Sequence, residues 1–395
     1  MTRAGVWLPL VFGLAAAACG RQNLDLLVQS EKDDPCIGFS SQSDCAANAA
    51  LGCSYWPNAE GCRSDDPSCQ PGMCQSGDPF VRRAAHGFLL NGAPFRFAGV
   101  SSWALLQPGS CGSVKPAERA AWIQSAYDAL VPSRAKIARF FAFQSSAGTS
   151  GSDFTLFDAS VRAARRAGVR LQLVLESNDG GCSQGARRDD AWYGGGYQSP
   201  DGNYALSYRD FATAVATRYR DEPTVLGYVL VQGFGGAAPS VLGSFVTEMG
   251  QRLHGVAPNQ LLSIDLEWGG VPDDDGVSYR QLEQLPEVDF VDVDDYTFVY
   301  PPKPLNPTLL QVLGEIDKPA TIGEGAFGLM AGDDAALAMR GEVAKARLAY
   351  WHDQGFSGAL LWAYDPGWGA VSEEFDARPA DPILQPGGVL VNAPW

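Results

Sequence analysis

Apolar residues recur along this chain in two alternating rhythms. Short continuous runs at Phe95–Val100, Lys136–Phe141, Val169–Leu175, Val225–Val231, Leu261–Leu266, Phe290–Asp294, Ala320–Gly323 and Gly358–Trp362 read as strands. Between them lie segments of helical period: Ala117–Leu130 after Pro116, Leu156–Ala167, Tyr208–Arg220, Val241–His254, Tyr279–Leu285, Thr308–Ile316 and Ala335–Asp353. Runs of Val, Leu and Ile without polar alternation are what parallel strands buried on both faces require, and helices supply the crossovers. Eight such units predict an α/β fold of the (β/α)8 TIM barrel type, with a doubly wound open sheet as the alternative. Two apolar runs flanking Asn91-Gly92 predict a β-hairpin ahead of the barrel. Pro366, Pro379, Pro382, Pro386 and Pro394 break any eighth helix, so residues 373–395 read as an irregular tail.

Composition narrows the function. The 395 residues are 46% hydrophobic and 11% aromatic, enough to fill a barrel core, and a formal charge of −16 argues against a nucleic-acid surface. Residues 1–18 carry Arg3, an uncharged apolar run and Ala16-Ala17-Ala18 directly before Cys19. The run is too short to span a bilayer and reads as a signal peptide. Small residues ending in cysteine resemble the lipobox of bacterial lipoproteins, which predicts an exported protein of the cell envelope, lipidated at Cys19 and touching the membrane through that lipid only. Residues 19–35 then form a tether. Cys36, Cys45, Cys53, Cys62, Cys69 and Cys74 crowd residues 36–74, a polar stretch with too little core to fold unstapled, so a disulfide-rich module is expected. Six cysteines allow fifteen pairings. The stretch lacks the close CxxC pairs and histidines of a zinc module.

The carboxyl ends of barrel strands carry the chemistry of this fold class. Read in order they give Ser101, Ser102 and Trp103; Phe143 and Gln144; Glu176, Asn178 and Asp179; Gln232 and Gly233; Glu267 and Trp268; Asp294, Asp295 and Tyr296; Glu324; and Trp362, Tyr364 and Trp368. Carboxylates, amides and aromatics on one rim suit a sugar site, because indole and phenol faces stack on pyranose rings while carboxylates bond hydroxyls. His86, His254 and His352 fall in the hairpin or on helices, which leaves a histidine-based triad or metal site little to work with. No phosphate-cradling loop follows a strand, so no cofactor is expected.

At these positions the sequence resembles family 5 glycoside hydrolases, the endo-β-1,4-mannanases in particular. The resemblance runs over residues 80–372. It is carried by Phe88-Leu-Leu-Asn-Gly-Ala-Pro-Phe-Arg-Phe-Ala-Gly-Val100, Arg139-Phe-Phe141, Leu175-Glu-Ser-Asn-Asp-Gly-Gly181, Arg218-Tyr-Arg-Asp-Glu-Pro-Thr-Val225, Val288-Asp-Phe-Val-Asp-Val-Asp-Asp-Tyr296, Lys318-Pro-Ala-Thr-Ile-Gly-Glu324 and Gly358-Ala-Leu-Leu-Trp362. It implies retaining cleavage of β-1,4-linked polysaccharide, with a nucleophilic glutamate ending strand seven and an acid/base glutamate ending strand four, about 5–5.5 Å apart. Glu324 falls on the nucleophile position. Gln232-Gly233 stands where the family has Asn-Glu, so the acid/base side chain is missing, while Gln232 keeps an amide for the sugar 2-hydroxyl. Asp295 is taken to stand where the family has a histidine, placing a carboxylate beside the nucleophile. Glu176, Glu267 and Asp295 are the candidates for a relocated acid, and Arg139, Gln232, Tyr296, Trp268, Trp362 and Asn178 for substrate contacts. Cys111 and Cys182, on loops of the same rim, are expected to pair. Three readings follow: a hydrolase with a displaced acid, a β-glycan-binding protein that does not cut, and a structural lipoprotein. A monomer with a polysaccharide partner is expected.

Overall fold

A computed structural model of the chain describes residues 78–106, 116–148, 150–179, 187–202, 204–266, 276–296, 303–327, 334–366, 377–379 and 381–395. The signal segment, Cys19, the cysteine-rich stretch, Cys111, Cys182, Glu267 and Trp268 lie outside the described residues.

The hairpin signal at Asn91-Gly92 is realised as a small antiparallel sheet of β1 (Val81–Ala84), β2 (Gly87–Leu90) and β3 (Ala93–Phe95). Leu90 pairs with Ala93, and Asn91 (φ 53°) and Gly92 (φ 78°) both adopt the left-handed conformation that a two-residue I′ turn demands. Three short strands are marginal alone, so their apolar face needs a cover. Val81, Phe88, Leu90 and Phe95 find it against Phe97, Ile137, Leu226, Leu261, Phe290 and Leu360, residues at or near the amino ends of the barrel strands. Phe88 meets Phe290 edge-on at 5.7 Å between ring centroids. The sheet therefore plugs the floor of the barrel.

The barrel itself is β4 (Phe97–Ser102), β5 (Ile137–Phe141), β6 (Arg170–Val174), β7 (Val225–Val229), β8 (Leu261–Ser263), β9 (Val291–Asp295), β10 (Ala320–Ala326) and β11 (Gly358–Trp362), each paired parallel to its neighbours. Hydrogen-bonded order runs β8-β7-β6-β5-β4-β11-β10-β9. The remaining seam, between β8 and β9, is bridged at its base: the Asp289 amide donates to the Leu262 carbonyl, and the Leu262 amide donates to the Asp289 carboxylate, both at 2.8 Å. Seven helices make the crossovers: α1 (Pro116–Asp128), α2 (Thr155–Ala167), α3 (Tyr208–Tyr219), α4 (Pro239–Val256), α5 (Val277–Glu283), α6 (Pro307–Glu315) and α7 (Asp334–Asp353). Local chemistry sets their ends. Ser207 caps α3 by accepting from the Asp210 amide, Asn306 caps α6 ahead of Pro307, and Gly168 closes α2 with φ 70°. The eight-stranded barrel is thus the one the apolar runs predict. The first run is divided at Arg96, where the chain passes from β3 of the floor sheet into β4. Beyond β11 the described tail forms turns and no helix, held by an Arg340–Asp381 ion pair at 3.4 Å and by the Trp395 indole donating to the Phe356 carbonyl.

Candidate active site

Inside a barrel strand, alternate residues face the interior. On β9 this turns Asp292 and Asp294 inward, and on β5 it turns Arg139 inward to meet them. Arg139 is completely buried and its guanidinium serves four carboxylates: Nη2 donates in a very short bond to Asp265, and Nη1 lies 3.9 Å from Asp292, 3.9 Å from Asp294 and 3.7 Å from Glu324. Asp292 is further held by Gln172 Nε2 and Thr321 Oγ1, both at 2.7 Å.

Glu324 reaches this cluster through an irregularity. Between Ile322 and Glu324 the pairing of β10 with β9 shifts by one residue, so that Gly323 and Glu324 together face the single residue Asp294. A bulge of this kind re-aims a side chain that simple alternation would turn away. Gly323 is required where it stands, because a Cβ there would lie 2.5 Å from Asp292 Oδ1 and 2.6 Å from Arg139 Nη1. Glu324, fully buried, then accepts from Gln232 Nε2 at 3.1 Å on Oε1 and from the Tyr296 hydroxyl, very closely, on Oε2.

One cation cannot neutralise four buried anions, and the cluster responds by holding protons. Burial pushes Glu324 up to about 7, with Arg139 pulling downward, Asp265 and Asp292 pushing up, and the Tyr296 hydrogen bond again pulling down. Asp292 is pushed up to about 6 by burial, against the pull of Arg139. Asp294 is driven well above the usual carboxylate range by burial and by the charges of Asp265 and Glu324. Burial opposes the charge on Arg139, yet its four carboxylates hold it firmly protonated.

Above the cluster sits an aromatic layer. Phe141, Phe143, Val174 and Val229 pack together, with the partly buried Trp103 and Trp362 against them, and Trp362 meets Phe141 edge-on at 5.8 Å. Tyr296 is 40% exposed. Glu324, Arg139, Gln232, Tyr296 and Trp362, all expected from the sequence, therefore converge on one end of the barrel.

Other expectations are placed differently. Asp295 does not stand beside Glu324: the same alternation that brings Asp294 inward sends Asp295 outward, where it accepts from Arg347 Nη1 at 3.1 Å and from the Trp351 indole at 2.8 Å on α7. The inward carboxylates on this strand are Asp292 and Asp294. Glu176 is likewise committed elsewhere, with Oε2 accepting from Arg188 Nη2 at 2.9 Å and Oε1 from the Ser177 amide at 2.8 Å. Arg188 in turn lies 4.7 Å from the Trp192 ring. Asn178 accepts from the Tyr193 hydroxyl at 2.8 Å and pairs with Arg188 and Gln232 through its backbone, so it shapes a loop. Gly233 has φ 62°. Its backbone occupies the left-handed region, where most other residues pay roughly 1–2 kcal/mol.

Asp265 and Asp292 were not singled out from the sequence. The signal for Asp292 is present in Val291-Asp-Val-Asp-Asp295, where polar residues alternate in a strand otherwise expected to be continuously apolar. Among the described residues no group of three or more His, Cys, Asp or Glu side chains could hold a metal ion, and no helix is long and apolar enough to cross a membrane.

No family model matches the chain. A curated relative, a probable mannan endo-1,4-beta-mannosidase C of Aspergillus terreus, is 27% identical over 36% of this chain, and the match spans 41% of the relative's length. Among solved structures, the endo-1,4-beta-mannanase of Rhizomucor miehei superposes with a TM-score of 0.58 at 17% identity, covering 80% of this chain and 98% of that one. The hyperthermostable endo-1,4-beta-D-mannanase of Thermotoga petrophila, solved with maltose and glycerol, gives 0.56 at 18% identity, covering 73% and 97%. A family 5 mannosidase variant from Rhizomucor miehei, in complex with mannosyl-fructose, gives 0.54 at 14% identity, covering 77% and 94%. The chain thus shares the (β/α)8 fold of family 5 mannanases across nearly the whole length of those enzymes.

Proposed function

We propose that this chain is a family 5-like glycoside hydrolase acting on β-1,4-linked polysaccharide, mannan in particular, with Glu324 as nucleophile. The observation that carries this reading is the setting of Glu324. A bulge turns it into the barrel mouth, two neutral donors fix its oxygens, and a guanidinium lies within 4 Å. Those donors favour the ionised form of a carboxylate that burial would otherwise protonate. The sugar of the cleaved bond lies against Trp362 and Trp103, with its anomeric carbon facing Glu324. A Glu324 oxygen attacks that carbon as the glycosidic bond breaks, and water then displaces Glu324, so the configuration is retained.

In the same reading the protein is exported and lipidated at Cys19, which holds the barrel at the cell envelope beside its polymer. The empty side-chain position at Gly233 supports a second reading, in which the barrel holds β-glycan without cutting it. Purified chain should release reducing ends from β-1,4-mannan, and Glu324→Ala should abolish the release. Retardation by mannan in affinity electrophoresis, weakened by Trp362→Ala and without any release of reducing ends, would select the binding reading instead.

A further inference from the structure

We propose that Asp294 protonates the departing glycosidic oxygen, the task that falls to the missing side chain at Gly233; the inference rests on the hydrolase reading above. Three features of the cluster single out Asp294. Of the four carboxylates around Arg139, it alone opens appreciably toward the mouth: its side chain is 17% exposed, against 0% for Asp292 and Glu324 and 2% for Asp265. It also has the least support for a negative charge. Asp265 takes the close bond from Arg139 Nη2, Asp292 takes two hydrogen bonds, and Glu324 takes two. Asp294 Oδ1 is closed off from solvent and accepts no hydrogen bond, with Arg139 Nη1 3.9 Å away.

The third feature is the partner it shares. Asp294 and Glu324 flank the same Arg139 nitrogen and lie side by side across the β9–β10 pairing, so that ionising one disfavours ionising the other. A pair of carboxyl groups in unlike settings divides into one that holds the charge and one that holds the proton. Here Glu324, with its two donors, holds the charge, and Asp294, with none, holds the proton. Burial and the charges of Asp265 and Glu324 raise Asp294 in the same sense, with Arg139 opposing.

The resulting step is balanced. A Glu324 oxygen bonds to the anomeric carbon as the bond from that carbon to the leaving oxygen breaks, and the Asp294 proton passes to that oxygen, which leaves as an alcohol. Asp294, now a carboxylate, takes a proton from water as the water oxygen bonds to the anomeric carbon and releases Glu324. Both carboxyl groups end as they began.

The test compares wild type, Asp294→Asn and Asp294→Ala on two substrates: β-1,4-mannan, whose leaving alcohol needs a proton, and dinitrophenyl β-mannobioside, whose leaving phenolate needs none. Loss of the acid should cut turnover on mannan about 10²–10⁴-fold and leave the first-turnover burst of dinitrophenol within a few-fold of wild type, with later turnovers slowed because the same group is the base of the second step. The alkaline limb of the wild-type pH profile on mannan should vanish in both variants. Added azide should accelerate Asp294→Ala and yield a mannosyl azide of retained configuration. An equal loss in mannan turnover and in the dinitrophenol burst, or a loss in neither, would overturn the role of Asp294 while leaving the hydrolase reading in place. A wild-type chain inactive on both substrates would overturn the hydrolase reading and the acid role with it.

Discussion

Replacing Glu324 by Gln should make the protein more stable while ending its activity. Glu324 moves from an ordinary value of 4.5 to about 7 in the folded chain. The sign follows from proton binding: a carboxyl group whose affinity for protons rises on folding stabilises the fold below its unfolded value, and that stabilisation is lost as pH rises through the folded value. Between about pH 4.5 and 7 the native state must therefore either keep a proton that solvent would remove or carry a buried charge. At 1.36 kcal/mol per pH unit the shift corresponds to about 3 kcal/mol at pH 8. Asp292 and Asp294 share these protons, so part of the gain is redistributed, and a net of about 1–3 kcal/mol is expected. Gln preserves the shape, its carbonyl still accepts from Tyr296, and the Gln232 amide can reverse to meet the new NH₂ group. Arg139 retains three carboxylate neighbours. Urea unfolding of both proteins between pH 4.5 and 8 measures the effect. The curves should meet at the acid end and diverge in favour of the variant as pH rises. Parallel curves, or a variant weakened at pH 8, would refute the charge-crowding argument.

Tyr296→Phe removes a donor from Glu324. A hydrogen bond to a charged group contributes about 1.5–3 kcal/mol, and solvent can partly replace this part-buried bond, so the acid limb of the activity profile should move up by about one pH unit. An unmoved limb would show that Tyr296 does not support the charge on Glu324. Gly323→Ala should push Arg139 and Asp292 apart and reduce turnover at least tenfold with the barrel still folded by circular dichroism, since the new Cβ has nowhere else to go. Phe88→Ala should cost about 3–5 kcal/mol in chemical denaturation by opening the floor plug, yet leave the pH profile unchanged, because its neighbours lie at the opposite end of the strands.

Most of the framework was legible in the sequence, and the interior of the site only in part. Eight apolar runs between helical segments specify parallel strands regardless of their precise ends, and Asn91-Gly92 specifies its turn through backbone conformation alone. Gln232, Glu324, Tyr296 and Trp362 were also legible, since residues at the ends of such strands must gather at one rim. What the sequence hides is phase. In Val291-Asp-Val-Asp-Asp295 three acids are available, and only the register of β9 decides that Asp294 faces Glu324 while Asp295 faces Arg347 and Trp351. The bulge at Gly323-Glu324 shifts phase again, and no local residue preference announces it beyond the glycine. Glu176 looked free because its partner, Arg188, arrives from a loop 12 residues further on.

The floor sheet has a consequence for traffic. The barrel interior is filled by side chains and its lower end is covered by Phe88, Phe95 and Phe97, so under the proposed hydrolase reading substrate, water and products would all use the carboxyl-end rim. A polymer cannot be threaded through such a vessel and can only be laid across its brim. Under that reading, departure of one cleaved fragment would clear the path by which water reaches the sugar still bound.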